Sequence, residues 1–269
     1  MRRNAVVAGQ FYPGEAHALR EAALEYIKQG QGVAGAFGHQ VRALIVPHAG
    51  YIYSGPVAGS GYACLANLDQ SVRRTVVILA PSHHVWFKGA ALPEADVFRT
   101  PLGDVPVAET AETLVKGPLV FASAQAHALE HAIEVQLPFL QVSLSQFDII
   151  PLVLGDVDAE ALARELLAVD PQHALFIASS DLSHYSPYEE AVEHDHATIQ
   201  HILKGNGDVL GGEDACGFMA IRTLLAMARL SGWTPQLLDY RNSGDTAGDK
   251  SAVVGYASIA FKGEPDEHE

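Results

Sequence analysis

Three histidines stand at comparable places in this chain. His48 lies in P-H-A-G-Y, His83 in A-P-S-H-H and His184 in S-S-D-L-S-H, each just past a short apolar run and among Gly, Pro or Ser that shape tight loops. Neutral imidazole is the commonest side-chain ligand for zinc, copper and iron, and it also takes and gives protons near neutral pH. A lone histidine after a strand is most simply a hydrogen-bonded loop residue. Three of them at three strand ends point to one crevice, because an open parallel sheet binds its ligands outside the carboxyl ends of its strands. His48 and His83 form the first ligand pair. Adjacent side chains point apart, so His83 is taken as the ligand and His84 as a supporting or substrate-facing group.

Cys216 follows Glu213-Asp214-Ala215 and opens an apolar helical run. Unpaired N–H groups at a helix start lower a thiol's pKa, which suits a thiolate ligand or nucleophile. The plainer alternative is a small buried hydrophobe, and that reading is preferred for Cys64, which sits among Ala and Leu. Asp181 shares the loop of His184 and is placed to orient its ring, with Ser179, Ser180 and Ser183 as nearby donors. A serine hydrolase would need a G-x-S-x-G elbow, which is missing. The segment H-A-L-E-H-A-I-E puts His127 with His131, and Glu130 with Glu134, at i,i+4 spacing. Each pair would share one face of a helix. It is not H-E-x-x-H, so a zincin is excluded, and a solvated amphipathic face would also explain it. The polar loop S-G-D-T-A-G-D-K-S, with Asp245 and Asp249, could line a site but lacks Walker spacing. His194, His196 and His201 are expected on an exposed helical face.

The elements that must position these groups alternate. Strands are expected at 43–46, 75–79, 149–153, 174–178, 236–240 and 253–260. Helices are expected at 16–28, 56–68, 107–115, 129–144, 159–169, 188–203 and 216–230. The first four strands are apolar throughout, as buried parallel strands are. The pattern predicts a single α/β domain over residues 1–263, with a mostly parallel central sheet flanked by helices. The Gly-rich stretch at 29–38 reads as a surface loop, and 264–269 as a solvated acidic tail.

Of 269 residues, 48% are hydrophobic and 18% charged, enough for one large core. A formal net charge of −15, with no Lys/Arg cluster, excludes nucleic acid and anionic membrane as partners. No run approaches the roughly 18–20 apolar residues of a membrane span, and the N-terminal apolar stretch is too short for a signal peptide. Two distant cysteines form no disulfide framework, which fits a reducing cytoplasm.

P-H-A-G-Y at 47–51, A-P-S-H-H at 80–84, E-H-x-x-E at 130–134, S-S-D-x-x-H at 179–184 and Cys216-Gly217 occur in this order. Together they resemble the Memo family, component B of the AmmeMemoRadiSam system in bacteria and archaea, over about residues 5–261. The resemblance implies a fold like that of the class III extradiol dioxygenases, built around a non-haem iron site. His48 and His83 would match the two histidine ligands and His184 the acid/base histidine, while Cys216 falls where the dioxygenases carry a ligating glutamate. Tyr51, His84, Glu130, His131 and Glu134 are assigned to the substrate pocket. One metal ion per chain is implied, Fe(II) first, copper or zinc next, since thiolate in place of carboxylate favours softer ions. The readings rank as a dioxygenase-like redox enzyme acting on a small molecule, then a metal-binding adaptor with a vestigial site, then a zinc hydrolase. Other components of the AmmeMemoRadiSam system are the implied protein partners.

Overall fold

Side chains alternate between the two faces of a strand, so a strand that is apolar throughout needs cover on both. The computed structural model, which describes residues 1–34, 40–169, 174–246 and 248–263, provides it. Strand β1 (Val41–Val46) sends Leu44 and Val46 into one core and Ala43 and Ile45 into the other. Strand β2 (Arg74–Pro81) does the same with Val76 and Ile78 against Val77 and Leu79. Burying each such aliphatic side chain contributes roughly 1.5–3 kcal/mol. Helices α1 (Ala16–Ala34) and α2 (Tyr51–Tyr62) cover the first face. Helices α3 (Ala159–Leu167), α4 (Tyr188–Leu203) and α5 (Phe218–Ser231) cover the second.

The remaining long strands are β3 (Phe147–Leu154), β4 (Leu175–Ser179), β5 (Thr234–Asn242) and β6 (Val253–Lys262). Strands β1, β4, β2 and β3 lie side by side in that order, all parallel. Strand β6 joins β1 antiparallel, and β5 pairs antiparallel with β6. Past β3 come the short strands Ala90–Leu92, antiparallel, and Val120–Ala122. The sheet is therefore mixed rather than mostly parallel: a parallel centre carries antiparallel edges, made by hairpin-like and short segments whose patterning is weak.

The six expected long strands and the helix at 188–203 are present. Four other expectations need correction. Helix α1 runs on to Ala34, through the start of the stretch expected as a loop, while 35–39 and the acidic tail 264–269 lie outside the described residues. The helix expected at 107–115 shrinks to Ala111–Leu114. The one expected at 129–144 is a short 3-10 turn, Glu134–Gln136, followed by the helix Leu137–Ser143. Helix α5 begins at Phe218, so Cys216 precedes it.

Candidate metal centre

The order of the central strands decides what meets what. Strand β4 lies between β1 and β2, so the loops bearing His48, Asp181 and His83 leave three adjacent carboxyl ends. The nitrogen or sulfur ligand atoms of His48, His83 and Cys216 all lie within 4.8 Å of one another.

His48 is buried, and its tautomer follows from a chain of hydrogen bonds. Ser179 Oγ donates its one proton to the carbonyl of Ala132 at 2.8 Å. It must then accept both from Gln136 Nε2 at 2.7 Å and from His48 Nδ1 at 2.9 Å. Gln136 is oriented in turn by Tyr62, whose hydroxyl donates to Gln136 Oε1 at 2.9 Å. His48 Nδ1 thus carries the hydrogen, and the Nε2 lone pair faces Cys216 Sγ at 3.3 Å. Burial first, and then the His83 imidazole, push the pKa of His48 down to about 3, which keeps the ring neutral as a ligand requires.

His83 is set the same way by a carboxylate. Its Nδ1 lies 2.9 Å from Glu130 Oε1, and its backbone N–H donates to Oε2 at 2.8 Å. The backbone N–H groups of His131 and Ala132 also donate to Oε1, each at 2.9 Å. Burial alone would raise Glu130, but the hydrogen bond and charge of His83 and these N–H groups hold its carboxyl down to about 2. Burial likewise works against the charged form of His83, yet Glu130 carries its pKa above the ordinary value. The arrangement is the carboxylate–histidine pairing that orients ligating imidazoles and leaves Nε2 free. His131 stacks on His83, ring centroids 4.9 Å apart, and meets His48 edge-on at 5.6 Å. His83, Glu130 and His131 also cluster tightly enough for a metal. That carboxylate is already saturated by four N–H donors, so the His48, His83, Cys216 set is the better cage.

Cys216 reaches this position because Gly217 lets two backbones close on each other. A Cβ on Gly217 would lie 2.6 Å from both Ser179 O and Ser180 Cβ. The Gly217 N–H donates to Ser180 Oγ at 2.9 Å, and the Asp181 N–H points at Cys216 Sγ at 3.3 Å. The expectation of a lowered thiol pKa is corrected: burial, and then the Asp181 carboxylate, push it up to about 12. A cation among these groups would reverse that balance. Ligand bonds of about 2.0–2.1 Å to N and 2.3 Å to S set N and S about 3.6 Å apart in a tetrahedral site. The observed 3.3 Å between His48 and Cys216 is close to that, and two imidazoles with a thiol are a donor set that fits a single transition-metal ion.

A cavity of about 830 Å³ opens onto this centre, with His48, His83, His131, Asp181 and His184 in its wall. His184 is exposed and lies outside the converging ligand set. Asp181 is buried and accepts from the His48 N–H at 2.8 Å. It has no hydrogen bond to the His184 ring among the described residues; burial raises its pKa, and the nearby His184 works against that rise. Asp249, from the polar loop, also lines the cavity. Of the residues assigned to the pocket, His131 is in its wall and His84 lines a separate cavity of about 440 Å³ beside Cys216. Tyr51, Glu130 and Glu134 stand behind the wall. Tyr51 is buried against Phe139 and donates to the Val135 carbonyl at 2.9 Å. Glu134 is fully buried; it pairs with Arg3 at 2.6 Å and accepts from the Val6 and Val7 N–H groups and the Tyr12 hydroxyl. That clamp holds the N-terminal segment whose Gln10 and Phe11 form one side of the cavity. Gln136, a lone amide in an apolar stretch, carried no sequence signal.

The family profile described as Memo-like protein matches residues 3–260. The chain belongs to the Memo family. A MEMO1 family protein of Sulfurisphaera tokodaii is 36% identical, over 97% of this chain and 99% of that one. Those of Sulfolobus acidocaldarius and Methanosarcina acetivorans are 41% and 39% identical, covering 82% and 96% of this chain and 82% and 98% of their own lengths. In this Memo family chain His48 and His83 of two strand-end loops meet Cys216, from the segment before helix α5, at the candidate centre. No helix among the described residues is long and apolar enough to cross a membrane.

Proposed function

We propose that this Memo family protein binds one metal ion through His48 Nε2, His83 Nε2 and Cys216 Sγ and uses it in redox chemistry on a small molecule held in the 830 Å³ cavity. The observation that carries the reading is the convergence of two imidazoles whose Nδ1 atoms are already committed, leaving both Nε2 lone pairs directed at one point beside a thiol. Three protein ligands leave a coordination position free, as catalytic sites do. Fe(II) is the first choice and copper the second; the bound ion would supply the electron exchange with O₂ and substrate. The protein's own residues bind and orient the substrate in the cavity, and His184, exposed in its wall near Asp181, moves protons there. The likeness to class III extradiol dioxygenases, a cytoplasmic location and other AmmeMemoRadiSam components as partners belong to the same proposal.

The sulfur ligand favours a second reading, a zinc hydrolase. Metal content measured by mass spectrometry after anaerobic purification separates the two. Iron or copper near one per chain, with an iron-nitrosyl EPR signal on adding nitric oxide to the Fe(II) form, is the expected result. Stoichiometric zinc would replace the redox reading by the hydrolase. A protein empty after metal-replete growth would leave only an adaptor role.

A further inference from the structure

The short strand His184–Ser186 pairs with β6 through an irregularity. His184 stands opposite Val254 and Ser186 opposite Val253, so Tyr185 is an extra residue with no partner. Its φ is +60°, and no other non-glycine among the described residues has a positive φ. Bulges that need this left-handed backbone ordinarily use glycine, because a Cβ is crowded there. Packing within the chain does not offset that strain, since Tyr185 is 76% exposed. Its ring stands instead in the wall of the large cavity, next to His184. Strain kept at a functional pocket without a packing gain points to a ligand.

The rest of the wall says which ligand. Phe11, Tyr53 and Tyr256 add three aromatic rings, and Asp181 and Asp249 add two carboxylates. No Lys or Arg is among the described residues lining the cavity. The nearby Lys250 ammonium is turned away, 3.8 Å above the ring of Tyr188. In the loop before helix α2 the His48 and Ala49 N–H groups are already taken by the Asp181 carboxylate, and at the helix start the Tyr51 N–H donates to the Phe11 carbonyl at 2.7 Å, so these groups do not wait for an anion. Aromatic faces and carboxylates with no Lys or Arg among them suit a positively charged ring at the Tyr185 and Asp249 side of the cavity.

We propose that Tyr185 is a specificity residue which stacks on an aromatic ligand bearing a positive charge, with Asp249 as counter-charge. This rests on the reading of the large cavity as the substrate site and deepens it. The test uses metal-free protein, so that its outcome is independent of the metal, and three probes of one shape: tyramine, 4-ethylphenol and 4-hydroxyphenylacetate. Calorimetric titration at pH 7 is expected to rank them in that order, with about three- to tenfold between the first two and a larger gap to the acid. Tyr185→Gly should weaken tyramine by about tenfold while its thermal midpoint stays at or above wild type, because glycine accepts the left-handed backbone. Tyr185→Phe should retain binding, and Asp249→Asn should remove the advantage of tyramine over 4-ethylphenol. Equal or tighter binding of the acid, no binding of any probe, or a Tyr185→Gly variant that binds like wild type would overturn the proposal. Metal content of the Tyr185→Gly variant as purified, before its metal is removed, reports separately on the metal reading.

Discussion

At the scale of single residues, Glu130 and the candidate ligand His83 behave as one unit. The Glu130 carboxylate, held down to about 2 from an ordinary 4.5, contributes about 3 kcal/mol to stability. The folded pKa is the lower one, so this contribution is complete above the ordinary carboxylate range and is lost as pH falls toward 2. Glu130→Gln puts an amide where four N–H groups need acceptors. We expect a loss of about 3 kcal/mol in urea unfolding at pH 7 and metal affinity lowered about 10- to 100-fold. His48→Ala and Cys216→Ser should each remove most bound metal, measured by mass spectrometry. Cys64→Ser should not, because Cys64 is fully buried in the core and belongs to neither candidate ligand cluster among the described residues. His184→Ala should keep its metal and, once a substrate is found, lose about 10²–10⁴-fold in turnover.

At the scale of elements, the precision of the site comes from loops pressed against strand ends. Gly217→Ala would push Cys216 off the β4 loop, because the new Cβ meets a backbone oxygen rather than a flexible side-chain tip. About 1–3 kcal/mol of stability and at least tenfold in metal affinity should be lost, read by thermal unfolding and metal competition. The strand-end histidines were legible in the sequence because continuous apolar runs announce buried strands, and the residue after such a run falls in the crevice. The E-H-x-x-E segment was misread as a helical face. Glu130 turns its own side chain back onto the N–H groups of His131 and Ala132, in competition with helical hydrogen bonds. The result is a buried acceptor, not a solvated charge. Cys216 was legible as a candidate ligand but not in its acidity, since the burial and the Asp181 charge that raise its pKa involve a loop 35 residues away.

For the whole molecule, the consequence of burying so many imidazoles is acid sensitivity. Burial leads in pushing His48 down to about 3, and His127 and His131 down to about 4. Unfolding lets each take up a proton near its ordinary pKa of 6.5, so stability falls as pH drops from about 6.5 toward 4. Metal-free protein should therefore melt at clearly lower temperature at pH 5 than at pH 7. His127 is the clean probe, because its Nε2 hydrogen-bonds the Ala91 carbonyl at 2.8 Å, away from the ligand atoms. His127→Gln should lower stability at neutral pH yet flatten its pH dependence by about one proton.

His83 lines both cavities, whereas His48 faces the larger one and Cys216 the smaller. The centre is therefore a partition with two doors. Traffic through one need not wait for the other: an occupant of the large chamber blocks approach to His48 but leaves the sulfur open to a diatomic or a small electrophile arriving past Trp86, which is 79% exposed at the second entrance. In metal-free protein, saturating tyramine should leave the slow alkylation of Cys216 by iodoacetamide at its original rate. A bulky group attached at Trp86→Cys should slow it instead, so the order of arrival at this centre is set by architecture and not by competition for one path.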